Sequence, residues 1–263
     1  MVAAARGKQS GRAARAPSRS LWEHIKGILG AVLIFLALRT FFIEAYRIPS
    51  GSMIPTLLIG DWLFVNKLVY GPHVPFTSVN LPGYSQPRRY DVAVFVSPTQ
   101  IDQPSDPNPT LVKRIVGVPG DTLYMRQGKL FVNGIEQRQG YGSHSEPGSA
   151  PDYADALFDW QKPFGLRSSR FGSAPPQPTL DNWGPLIVPT RRYFMMGDNR
   201  YCSKDSRYWG LVPRENFRGR PMFVYYSYRP SGLEPGGCNG DISTRPLSFL
   251  TDIRWRRIGH WIR

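Results

Sequence analysis

The chain has 263 residues, and its 33 lysines and arginines against 19 acidic residues give a formal charge of +14. A chain this long can bury a full hydrophobic core, and its 26 glycines and 25 prolines argue for many turns and against a helical bundle. Two cysteines and four histidines exclude a disulfide-dense scaffold, a cysteine-rich zinc module and a histidine metal cluster. The basic residues crowd the ends: Arg6, Lys8, Arg12, Arg15 and Arg19 precede any acid, and Arg245, Arg254, Arg256, Arg257 and Arg263 face only Asp252 near the other terminus. Such ends suit either nucleic acid or the anionic face of a membrane.

The next segment decides between them. From Gly27 the sequence reads GILGAVLIFLAL, then Arg39, then Thr40 to Ile43. Gly27 to Ile43 is close to the shortest stretch that spans a bilayer, about 17 residues, and it requires Arg39 to snorkel to an interface. Trp22 and Tyr46 flank it where belt aromatics sit. A buried core helix and a cleavable leader are the alternatives, but the residues after the apolar run offer no small-residue pair for cleavage. The expectation is one uncleaved transmembrane anchor over 25–45 behind a basic cytoplasmic segment, 1–24. By the positive-inside bias, everything after about residue 46 then lies outside the cytoplasm.

Beyond the anchor, helical spacing disappears. Runs rich in Val, Ile, Tyr, Phe and Trp predict strands at Trp62–Val69, Tyr90–Val96, Leu111–Val118, Tyr193–Met196 and Met222–Tyr228. Thr122–Met125 and Lys129–Val132, separated by Arg126-Gln127-Gly128, read as a hairpin, and Asn133-Gly134 as a second tight turn. The fold class is mostly β. Gly, Ser and Pro dominate 140–151 and 172–178, which marks 135–188 as a loop-rich insertion with an aromatic centre at Tyr153, Phe158, Trp160 and Phe164. The core is then expected over 46–134 and 189–247. The basic tail, 248–263, places Ile258 and Ile262 at helical spacing with Trp255 on the same side, which predicts an interfacial segment on the bilayer; a final strand packed on the sheet is the alternative.

Three segments carry chemistry. Ile48-Pro49-Ser50-Gly51-Ser52-Met53-Ile54-Pro55-Thr56-Leu57 sets two serines on an irregular, proline-bounded backbone. In Leu111-Val112-Lys113-Arg114-Ile115-Val116, alternation sends Lys113 and Arg114 to opposite faces, so one cation must sit among apolar side chains. Arginine keeps its proton in a protein, whereas burial lowers a lysine pKa, so Lys113 can become a base. Lys67, on the face of Leu63, Val65 and Val69, competes for that role on pattern alone. The third segment, Gly197-Asp198-Asn199-Arg200-Tyr201-Cys202-Ser203-Lys204-Asp205-Ser206-Arg207, packs polar groups densely between two strands, and an Asp205–Arg207 ion pair would fix such a loop.

In order and content these segments resemble the boxes of bacterial type I signal peptidases. Ser50-Gly-Ser-Met-Ile-Pro-Thr-Leu57 resembles the nucleophile box, Gly60-Asp61-Trp62 through Tyr70-Gly71 the following strand, Lys113-Arg114 through Asp121 the general-base box, and Gly197 through Arg207 the last. The resemblance implies an antiparallel β-sheet core with Ser52 as nucleophile and Lys113 as its base. Ser50 joins the Ser52 N–H in an oxyanion hole, Ser203 orients the Lys113 amine, and Asp205 with Arg207 braces the loop. It implies pockets for small side chains lined by Tyr46, Ile48, Met53, Leu57 and Val112, secreted preproteins as substrates, and neither metal nor cofactor. With the anchor it implies a monomer in the bacterial inner membrane, in contact with anionic phospholipids, with the catalytic part in the periplasm and no nucleic-acid partner. Tyr201-Cys202 departs from the Asp-Asn common in the family. Cys202 and Cys238 can pair in an oxidising compartment. Two further readings remain open: a specialised peptidase for one conjugative or pilin-type substrate, and an inactive tethered β module that binds peptides.

Overall fold

The computed structural model describes residues 21–77, 79–137, 151–230 and 248–262. The basic run before residue 21, most of the loop expected at 140–151, and Cys238 lie outside them. The chain divides into two compact units, Met1–Leu38 and Arg39–Arg263.

Helix α1 covers Leu21–Phe41, and none of its residues is buried. At 1.5 Å per residue it is about 31 Å long; its mean hydropathy of 1.7 makes it, among the described residues, the one helix long and apolar enough to cross a membrane. Its start lies six residues before the expected apolar run, since Trp22, Glu23, His24 and Lys26 extend the helix without extending its apolar part.

In the second unit a seven-stranded antiparallel sheet has the order β1-β2-β11-β3-β4-β9-β10, with β1 at Ile43–Arg47, β2 at Asp61–Asn66, β3 at Val92–Val96, β4 at Thr110–Gly117, β9 at Arg192–Met196, β10 at Val212–Pro213 and β11 at Phe217–Ser227. A four-stranded sheet, β7-β6-β5-β8, joins β5 (Thr122–Arg126), β6 (Lys129–Val132), β7 (Ile135–Glu136) and β8 (Trp183–Ile187). The anticipated hairpin is β5–β6, closed by Gln127-Gly128, and Asn133-Gly134 closes β6–β7; all four residues have positive φ, as a two-residue turn that follows the strand twist demands. The sequence reading placed no strand at β1 or β8. Prolines and glycines around Trp183-Gly184-Pro185 obscure β8, and the anchor's apolar run merges into β1.

The long strand β11 links the sheet's two ends. Its first half pairs with β3 through Phe217↔Phe95 and its second with β2 through Val224↔Leu63, with register shifts in both ladders. Bulges of this kind bend a strand and raise its local twist. Three apolar clusters fill the interior: one on the small sheet around Trp183, Phe194 and Leu123, one around Phe95, Ile115 and Phe217, and one joining Ile48, Met53 and Leu57 to Leu63, Val94 and Val224.

The C-terminal tail departs from the expected amphipathic helix. Its helical pieces are Ser248–Thr251 and a single 3-10 turn at Trp255–Arg257, and Ile262 is 5 % exposed within the third cluster. The segment lies along β11 by bridges at Tyr228↔Ile253 and Phe223↔Trp261. Arg254 donates to the Ile59 carbonyl at 2.9 Å, and Arg257 to the Thr56 carbonyl at 2.9 Å and to buried Asp61. Burial of Ile262 and neutralisation of Asp61 outweigh helical spacing, so the tail is a packing element, as the alternative reading had it. Ile262→Ala should cost about 2 kcal/mol or more, by loss of buried methyl groups and incomplete collapse, read as a lower urea midpoint at unchanged slope.

Candidate functional site

Two consecutive residues of β4 set the site. Alternation sends Lys113 and Arg114 to opposite faces, as expected, but both are buried, at 4 % and 1 % exposure. Arg114 is neutralised: its Nε and NH2 each donate to Asp198 at 2.8 Å, and Thr56 donates its hydroxyl to the same carboxylate. Lys113 forms no ion pair among the described residues. Its Nζ lies 2.6 Å from Ser52 Oγ. Burial pushes its pKa down to about 8; Asp205 opposes the shift and Arg207 reinforces it.

Ser52 occupies a 3-10 turn, Gly51–Met53, buried between the end of β1 and the start of β2. The turn is fixed from the far side of the site. Asn199 donates its backbone N–H to the Ser52 carbonyl at 3.0 Å and its side-chain amide to the Gly51 carbonyl at 3.3 Å. Gly197 faces the same point. A Cβ there would lie 2.5 Å from the Ser52 carbonyl oxygen and 2.3 Å from Ser203 Oγ, so any side chain would displace one or both. Ser50 Oγ is 3.4 Å from Ser52 Oγ.

Asp205 and Arg207 are fully buried and paired, Nε to Oδ1 and NH2 to Oδ2 both at 2.9 Å. The bond anticipated from the sequence therefore exists, and it ties the loop further. Asp205 accepts from the Gly197 N–H at 3.2 Å, and Arg207 donates to the Ser203 carbonyl at 3.3 Å and to that of Arg200. Burial alone would raise the Asp205 carboxyl, but Arg207 more than reverses this and holds it below the ordinary range. Ser203 itself is buried, but its hydroxyl has no hydrogen-bond partner, so the contact with Lys113 implied by the resemblance is not formed here. Cys202, one residue earlier, is disulfide-bonded.

A cleft of ≈130 Å³ leads to Ser52 and Lys113. Its walls are Tyr46–Ser50 with Ser52 and Met53 on one side and Thr110–Lys113 on the other. Tyr46, Ile48, Met53 and Val112 line it as anticipated, whereas Leu57 does not: it is 0 % exposed, turned into the apolar cluster behind the cleft. Lys67, the competing candidate, forms an ion pair with Glu44 at 3.2 Å. The Arg114–Asp198–Thr56 network and the amide of Asn199 escaped the sequence reading. The one signal for them was Arg114 itself, a second cation in a strand whose neighbours are apolar on both faces.

A family model described as "Signal peptidase, peptidase S26" matches residues 21–226. The chain is 37 % identical to the signal peptidase I of Pseudomonas fluorescens over 221 residues, 79 % of this chain and 73 % of that one. It is 31 % identical to the signal peptidase I of Aquifex aeolicus, covering 87 % and 93 % of the two chains. A solved signal peptidase I of Enterococcus faecalis V583 is 27 % identical over 52 % of this chain and 97 % of that one, with a TM-score of 0.32. Fold and relatives together define a serine peptidase of antiparallel β architecture. The chain belongs to the signal peptidase family, peptidase S26, and its reaction class is the removal of signal peptides.

Exchanging Arg114 for Met leaves Asp198 buried without its counter-ion and should cost roughly 3–5 kcal/mol. Replacing Arg114 and Asp198 together by apolar residues should recover much of that loss, and chemical denaturation of the three variants checks both statements.

Proposed function

We propose that this protein is a membrane-anchored endopeptidase that cuts signal peptides from translocated preproteins after small residues, with Ser52 as nucleophile and Lys113 as general base. The observation that carries this reading is a buried amine, free of any ion pair among the described residues, 2.6 Å from a serine hydroxyl. A serine attacks a peptide carbonyl only when a neighbour takes its proton, and a neutral amine can do so where no histidine stands by. Burial without a counter-ion lowers its pKa to about 8, so the neutral form gains population from neutral pH upward. Once protonated, it hands the proton to the leaving amine, and it then serves again as base for the water that releases the acyl group. The Ser50 hydroxyl and the Ser52 N–H receive the developing oxyanion. Ser203 steadies the amine once the cleft is filled, and the Asp205–Arg207 pair holds the loop that carries Ser203.

Specificity follows from two open strand edges. β1 is the outer strand of its sheet, and the β4–β9 register begins at Arg114, which leaves Thr110–Lys113 paired with β3 alone. An extended peptide entering between them gains main-chain hydrogen bonds. The cleft beneath, lined by Tyr46, Ile48, Met53 and Val112, has room for short side chains and not for large aromatics. The catalytic core comprises 46–134 and 189–247, with 135–188 as an insertion. Helix α1 anchors a monomer in the bacterial inner membrane, its N-terminus cytoplasmic and its catalytic unit periplasmic, with the flanking basic residues on anionic lipid.

Incubation with a purified preprotein in detergent should give one new N-terminus following a small residue. Ser52→Ala and Lys113→Ala should each lower the rate roughly 10³-fold or more while circular dichroism stays unchanged. Full activity in Lys113→Ala would assign the base elsewhere. Because the neutral amine is the active form, the rate should climb about tenfold per pH unit below about 8 and level off above it. Stability has the same sign: the unfolded lysine binds its proton up to about pH 10.4, so stability should increase between about pH 8 and 10.4. Lys113→Met should therefore be more stable than the parent by up to about 3 kcal/mol below pH 8.

A further inference from the structure

We infer that Trp160 and Gln161, in the segment inserted between β7 and β8, are positioning residues for the reaction: together they clamp the main chain of Arg207 and so hold the loop that walls in Lys113. The inference rests on the Ser52–Lys113 reading above and adds to it a control point outside the four sequence boxes.

The two residues lie in a 3-10 helix, Ala156–Phe164, begun by Asp155, whose side chain accepts from the Leu157 N–H. Trp160 Nε1 donates to the Arg207 carbonyl at 3.0 Å, and Gln161 Nε2 donates to the same oxygen at 3.3 Å. A carbonyl oxygen has two lone pairs, and here both are taken by one neighbouring segment. Both anchors are themselves fixed. The Trp160 ring packs on Phe194 and Phe164, centroids 6.2 and 5.8 Å apart, and Gln161 is 3 % exposed. Phe158, fully buried, sets its ring against Tyr208, the residue after Arg207.

From that oxygen the path to the dyad is short and continuous. Arg207 grips Asp205 and the carbonyls of Ser203 and Arg200; Asp205 takes the Gly197 N–H; Gly197 abuts Ser203 and the Ser52 carbonyl. No residue of Ala156–Phe164 lines the dyad cleft, so Trp160 and Gln161 act through the loop and not on substrate. The chemistry they control is the dryness of the Lys113 site. Release of the Arg207 carbonyl loosens the wall and admits water, and a hydrated amine keeps its proton to higher pH.

The test is the double variant Trp160→Phe, Gln161→Leu, which keeps an aromatic ring at 160 and nearly the same volume at 161 and removes both donors, beside each single variant. In the double variant the acid limb of the pH–rate profile should move up by about half to one pH unit, lowering kcat roughly three- to tenfold at neutral pH and restoring it at pH 9 to 10, with KM unchanged. Backbone amides of 203–209 should exchange with deuterium faster than in the parent while those of β4 and β9 do not. A fall in kcat with an unmoved profile would reduce the clamp to a structural support and overturn the inference. Unchanged exchange at 203–209 would overturn it as well, whatever the kinetics. The reading on which it depends fails separately, through an active Lys113→Ala or a parent rate that does not vary with pH.

Discussion

Lys113 and Arg114 stand side by side in β4, both out of contact with water, and nearly everything else in the site answers to the difference in how their charges are treated. Arg114 receives a full carboxylate partner in Asp198, because a guanidinium cannot shed its proton. Lys113 receives a hydroxyl instead, and with no carboxylate bound to it the cheaper course is to lose the proton. The nearest acids are committed elsewhere, Asp198 to Arg114 and Thr56, Asp205 to Arg207 and the Gly197 N–H. Without those commitments a free carboxylate would pair with the amine and favour its charged form. Two buried ion pairs, weak as sources of stability, thus leave one amine without a counter-ion and with a lowered pKa.

The same constraint explains how the elements are arranged. The turn of Ser52, the strand of Lys113 and the loop of Ser203 are separated by 61 and about 90 residues of chain; β4 lies inside the large sheet with β9 beside it, and Lys113 and Asn199 both reach the Ser52 turn. The tail, far off in sequence, closes the third apolar cluster with Ile262 and pins the residues after the nucleophile through Arg254 and Arg257. The inserted segment reaches the same site from the opposite side, through one carbonyl of Arg207.

Much of this was legible in the sequence, for identifiable reasons. Strands such as Thr122–Arg126 and Lys129–Val132 announce themselves through alternation and a two-residue turn, and the Asp205–Arg207 pair through dense polar groups that need a reason between two strands, whereas the choice of Ser52 and of Lys113 over Lys67 comes from the resemblance of whole segments and not from pattern. What stayed hidden depends on three-dimensional pairing. Leu57 is as apolar as Met53 four residues before it in the same segment, and only the chain's path shows that it faces the core and not the cleft. Ile258 and Ile262 have helical spacing, but a helix there would have forfeited the bridges to β11. Arg114 was visible as a problem, and Asp198 as its solution was not, since 84 residues separate them. Ser203 lacks the bond its counterpart box implies, and no sequence pattern encodes where one hydroxyl points.

Gly197 suggests a use beyond its place in the wall. Ser203 could swing aside from a new methyl group, but the Ser52 carbonyl is backbone and cannot without carrying its own hydroxyl off line. An alanine at this one position would thus spoil alignment while leaving every reactive group intact. Among chains descended from a common ancestor, a side chain at that site beside an intact Ser and Lys would mark a copy that has drifted out of service, where a roll-call of the reactive groups alone would still count it as working.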